Sequence, residues 1–201
     1  MDLNNKIVSL WERLFAYWKK NEPNFTGCKG ATEKEILDLE LHLGIKLPNC
    51  LKESLARCNT PPIEPKKVHK SSCLMTGCAG ILYSIDDIKM DHQDFKEYMF
   101  DGGAYRYVDP NIFPKDIAWS NYWIPIYSWN CNEYALIDLR PECNNHGQIL
   151  YVDPEFSVLG IWAKSYEEFL ESIANAILDH GEFNQNDMKQ IRDRIYKATK
   201  S

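Results

Sequence analysis

Two short helical patterns joined by Gly44-Ile45-Lys46-Leu47-Pro48 constrain this chain more than any other feature. Thr32 stands three residues before Glu35, the spacing of a capping box. In that device the threonine hydroxyl takes the Glu35 amide while the Glu35 carboxylate reaches back. Ile36, Leu39 and Leu43 then fall on one helical face. Gly44 stands where a left-handed C-cap glycine belongs. Ile45 and Leu47 bracket Lys46 in a short extended piece, and Pro48 opens the next helix at its first position, where a missing amide costs nothing. Leu51, Leu55 and Cys58 form that helix's inner face. A helix–turn–helix invites a DNA-recognition reading, but a proline-started second helix with Glu53 facing out is a poor groove reader.

The flanking segments supply the rest of a core. Leu3, Ile7, Leu10, Trp11, Leu14, Phe15 and Trp18 predict an amphipathic helix over residues 1–20, stopped by Asn21-Glu22-Pro23-Asn24. Thr60 to Ser72 reads as a loop rich in proline and lysine. Gly80 to Ser84 reads as a short strand, and Asp86 to Asp101 as an acidic, partly helical stretch. Tyr122 to Tyr127 is a strand whose Pro125 predicts an edge or a strand end. Tyr134 to Leu139 carries apolar residues on both faces, as a covered central strand does. Gly147 to Val152 and Val158 to Trp162 are two more strands. Ser165 and Glu168 form a second capping box, opening a helix that Gly181 stops, and a last helix spans 187–199. Helices, then consecutive strands, then helices predict an α+β fold: a predominantly antiparallel sheet of about four to six strands with N-terminal and C-terminal helices packed on it.

A length of 201 residues with 44% hydrophobic content suits one domain, 1–201. The net charge of -6 argues against nucleic acid as a partner and suits a basic protein. The N-terminus lacks a secretory pattern, and no window reaches the roughly 18 apolar residues of a membrane span. The seven cysteines, an odd number, therefore read as free thiols, and the chain as cytoplasmic.

Several of these pieces, in this order, resemble the SUKH superfamily, which includes yeast cell-wall synthesis regulators and many bacterial immunity proteins. The resemblance is carried by Gly30-Ala31-Thr32-Glu33-Lys34-Glu35-Ile36, by Leu43-Gly44-Ile45-Lys46-Leu47-Pro48, and by Trp123 to Ile126, Leu136 to Leu139, Gly147 to Ile149 and Lys164 to Leu170. It covers residues 30–178. The chain departs from the pattern after Cys58, where Asn59 precedes Thr60 and not glycine, and in the loop Ser128 to Glu133. The resemblance implies a non-catalytic interaction domain without a cofactor. Its bacterial branch implies a cognate toxin, often a nuclease, as the partner; its eukaryotic branch implies a regulatory scaffold.

An inhibitor covering a nuclease's basic face gains from clustered carboxylates. Asp86, Asp87, Asp91, Asp94, Glu97 and Asp101, against only Lys89 and Lys96, are the candidate partner-binding cluster. Tyr105, Tyr107 and Trp129 are candidate aromatic anchors, Trp129 through its place in a polar loop. The other tryptophans of the periodic segments, Trp11, Trp18, Trp123 and Trp162, read as core. His69, Cys73, Cys78, Cys143 and His146 lack the tight Cys-x2-Cys pairs of structural zinc sites, so no metal is expected. Cys131, His146 and Asp138 can be drawn as a triad, but no nucleophile motif accompanies them, and no catalytic residue is assigned.

Overall fold

The computed structural model describes residues 3–59, 80–99, 107–108, 119–129, 133–143, 145–153 and 158–199. Helix α1 spans Leu3–Asn21 and buries Ile7, Leu10, Trp11, Leu14 and Trp18, the stripe its periodicity predicts. In α2 (Glu33–Leu43) both halves of the Thr32–Glu35 capping box form, and Gly44 closes the helix at φ 68°. Helix α3 spans Asn49–Arg57. Pro48 is its N-cap, one residue earlier than the sequence suggested, and its carbonyl accepts the Leu51 and Lys52 amides. Glu40 binds the two helices across the turn. Its buried carboxylate accepts the Leu47 amide at 2.9 Å and Lys46 Nζ at 2.7 Å. Burial opposes its charge, yet Lys46, the Leu47 amide and Lys52 outweigh burial and hold its pKa below the ordinary value.

The strands are β1 (Gly80–Leu82), β2 (Tyr107–Val108), β3 (Trp123–Trp129), β4 (Glu133–Asp138), β5 (Ile149–Asp153) and β6 (Val158–Ala163). They form one sheet in the order β1-β3-β4-β5-β6-β2, antiparallel throughout except where β2 joins β6 in parallel. The fold is α+β, as the element order predicts. Strand β4 is central and covered on both faces: Ala135 and Ile137 face the main core, Tyr134 and Leu136 a second, smaller cluster. Strand β3 is not an edge, which corrects the reading from Pro125. The proline sits at a register shift of the β3–β4 ladder, and β1 covers only Tyr127–Trp129, so its missing amide leaves no rung empty.

Helix α5 (Tyr166–His180) lies over the main cluster and ends at Gly181, φ 93°. Its N-terminus is half a capping box: the Ser165 hydroxyl accepts the Glu168 amide, while the Glu168 carboxylate takes the Lys164 amide, one residue further out than expected. Helix α6 (Gln185–Thr199) buries Met188 and Ile195 and packs on β6. Ser54 joins three helices inside the core. Its Oγ accepts Trp11 Nε1 from α1 at 2.9 Å and the Tyr166 hydroxyl from α5 at 2.8 Å.

Cys28 and Cys58 are disulfide-bonded, with Cα atoms 5.0 Å apart, which corrects the expectation of free thiols throughout. An odd cysteine count leaves open that two of them meet across a fold. Cys50 and Cys143 are free and half-buried.

Candidate functional site

The acidic stretch folds as α4 (Ile85–Asp94), followed directly by a π-helical turn (Phe95–Met99). A capping box starts it. The Ser84 hydroxyl accepts the Asp87 amide at 3.2 Å, and the Asp87 carboxylate takes the Ser84 amide at 2.9 Å and its hydroxyl at 2.7 Å. The inward residues Ile85 and Ile88 join the main cluster, and Phe95 joins the second one, edge-on to Tyr134. His92 is buried, its Nε2 3.0 Å from the Asn121 carbonyl, and burial lowers its pKa.

This packing divides the six carboxylates of the candidate cluster. Asp87 is spent on the cap. Asp91 is half-buried and accepts the Tyr83 hydroxyl, and burial raises its pKa. Asp86, Asp94 and Glu97 are exposed, with Met90 at 58% exposure between them on the same outer stripe. Asp101 and Tyr105 lie outside the described residues. Tyr107 is 38% exposed in β2, at the sheet edge opposite β1, so the fold does not bring it to α4. Trp129 is the last residue of β3, is 1% exposed and meets Phe183 edge-on. The polar residues around it suggested a loop, but the ladder extends through it to Glu133, and a buried ring cannot act as a surface anchor.

Two polar clusters have no signature in the sequence. At one end of the sheet, the paired strands β4 and β5 bring Glu133 and Asp153 together, both buried. The Tyr151 hydroxyl donates to Glu133 and, at 3.4 Å, to Asp153, while Arg192 of α6 approaches Glu133 at 3.0 Å. Burial raises the pKa of Glu133. At the other end, Asp138 grips Arg140 and also accepts Gln148 Nε2 at 3.2 Å. Burial opposes the Asp138 charge, but Arg140 and Gln148 prevail and hold its pKa low. Asp138 is therefore engaged in a structural ion pair, not in orienting His146. Cys143 lies 3.4 Å from Gln148 Nε2, and burial raises its thiol pKa, which suppresses the reactive thiolate. Cys131, His69, Cys73 and Cys78 lie outside the described residues. Among the described residues no group of three or more His, Cys, Asp or Glu side chains is placed to hold a metal ion. No described helix is long and apolar enough to cross a membrane.

Fold and surface together define a class: an α+β domain with a mostly antiparallel sheet, in which a capped helix displays the exposed carboxylates. The profile of the SMI1 / KNR4 family (SUKH-1) matches residues 30–172, and the chain belongs to that family. No curated protein matches the chain. The matched region runs from the segment before α2 into α5, so α1 and α6 lie outside it.

Proposed function

We propose that this chain is a non-catalytic, cytoplasmic protein-binding domain of the immunity type, which binds and neutralises a cognate polymorphic toxin of the nuclease class. Family membership supports a protein-binding role. The observation that carries the finer reading is the outer stripe of α4 and the turn after it, where exposed Met90 lies between Asp86 and Asp94, with Glu97 further along. A nuclease presents a basic face to its polyanionic substrate, and carboxylates around an apolar contact complement such a face. Tyr107, at the far sheet edge, would belong to a separate contact.

The test is co-expression with the catalytic domain of a toxin encoded beside this chain's gene. Rescue of growth together with a stable, salt-sensitive complex supports the reading. Absence of a complex with any neighbouring toxin sinks it. The alternative, a regulatory scaffold for a cellular protein, is distinguished by a deletion phenotype in cells that contain no such toxin.

A further inference from the structure

The acidic helix is joined to the α2–α3 unit through a residue adjacent to the disulfide. The segment holding Cys28 runs along the C-terminal end of α3. The Ala31 amide donates to the Leu55 carbonyl at 2.8 Å, and the Asn59 amide to the Lys29 carbonyl at 2.9 Å. Gly30 fits between them because a Cβ there would collide with the Ala56 carbonyl. Cys28–Cys58 locks this seam, closing a sequence separation of 30 residues. Asn59, next in the chain, accepts the Ile85 amide on its Oδ1 at 2.8 Å. Ile85 is the first residue of α4, and its amide is one of the N-terminal donors that no carbonyl of its own helix satisfies. A continuous path therefore runs from the disulfide, through Asn59, to the start of the helix that displays Asp86 and Asp94.

We propose that Cys28 and Cys58 are a redox clasp that sets how firmly the first turn of α4 is held and so regulates the acidic face. The effect on docking rests on the function proposed above, and the redox response on the cytoplasmic placement proposed with it; the link from Cys58 through Asn59 to Ile85 rests on neither. In a reducing compartment a disulfide is transient and responds to the redox state. The chemistry is thiol–disulfide exchange with a low-molecular-weight disulfide such as oxidised glutathione. The Cys28 thiolate attacks that disulfide, forming a mixed disulfide and releasing one small thiolate. The Cys58 thiolate then attacks the Cys28 sulfur and expels the second. Two protein thiols and one small disulfide become one protein disulfide and two small thiols, which carry the two protons. Half-buried Cys28 offers the entry point, and Cys58, only 9% exposed, completes the bond from inside. Reduction frees Cys58 from Cys28, leaves the seam to the Ala31–Leu55 and Asn59–Lys29 hydrogen bonds, and so weakens the hold on Ile85.

The test uses the full chain in glutathione buffers from fully reduced to fully oxidised. Alkylation and peptide mass analysis report the Cys28–Cys58 crosslink, and amide hydrogen exchange reports on residues 85–88. Reduction is expected to speed exchange there about fivefold, the factor that one net hydrogen bond supplies. Asn59→Ala should exchange fast in both states, and Cys28→Ser should behave as the reduced protein in any buffer. No crosslink in the oxidised chain, or equal exchange at 85–88 in both states, overturns the clasp. Binding of a Lys/Arg-rich peptide is read in parallel. Redox-dependent exchange with redox-independent binding would overturn the link to docking and leave the clasp standing.

Discussion

Asp138 and Arg140 form a two-pronged ion pair inside the protein, Nε to Oδ1 at 2.9 Å and Nη2 to Oδ2 at 2.8 Å, with the guanidinium 5.4 Å above the Trp123 ring. The pair terminates β4 and holds the turn that leads to β5. Arg140→Ala would strand a fully buried carboxylate, a change that typically costs about 3–5 kcal/mol. Arg140→Lys would keep the charge, lose the fork and fall between the two. Urea denaturation measures this, and a loss below about 1 kcal/mol for Arg140→Ala would contradict the account.

Buried titratable groups should shape the pH dependence of stability in opposed ways, with His92, whose pKa burial lowers, losing its contribution as pH falls below about 6.5. Asp138 and Glu40 sit below their ordinary pKa values, so their contribution is full above the unfolded-chain value of about 4 and is lost as pH falls through their lowered ones. Asp91 and Glu133 sit above theirs, so their contribution is full below that value and is lost as pH rises through their raised ones. Glu133→Gln should remove the stability that Glu133 adds between neutral pH and weak acid, and Asp138→Asn should flatten the fall at lower pH. Denaturation midpoints across roughly pH 3 to 8 decide this; mutant curves parallel to that of the parent would refute it.

The carboxylates of α4 should separate by experiment as they do by burial. Asp86→Asn, Asp94→Asn and Glu97→Gln together should leave stability within about 0.5 kcal/mol while reducing the salt dependence of partner binding. Asp87→Ala removes the carboxylate half of the capping box, leaves the Ser84 hydroxyl on the residue-87 amide, and should cost up to about 1 kcal/mol of stability. If the triple variant binds its partner with unchanged affinity at low salt, the docking face lies elsewhere.

Ser54→Ala should cost more than its single hydroxyl suggests. It leaves Trp11 Nε1 and the Tyr166 hydroxyl without the acceptor they share, at about 1–3 kcal/mol for each stranded donor. Ser54→Thr, which keeps the hydroxyl, separates loss of the acceptor from a change in packing.

Trp129→Ala should behave as a core mutation and lose about 3–5 kcal/mol. A variant that keeps its stability and loses only partner affinity would restore Trp129 as a surface anchor.

The local devices and the class of fold are legible in the amino-acid order. Thr32 with Glu35, Gly44, Ser165 and Gly181 act through neighbours three or four residues away, so their roles could be read without knowing the fold. The doubly apolar β4 and the stripe of α1 were legible because periodicity is set by each element's own geometry. The Ser84–Asp87 box has the right spacing in the sequence, but Asp87 stands in a run of carboxylates whose charge masks its capping role. Tertiary structure alone decided which of them face outward, since that depends on what Ile85, Ile88 and Phe95 pack against. It also decided that Trp129 is buried, that Pro125 falls at a bulge inside the sheet, and that Cys28 meets Cys58. Each of these is a relation between residues far apart in the chain, and pairing over such distances leaves no periodic trace in either partner.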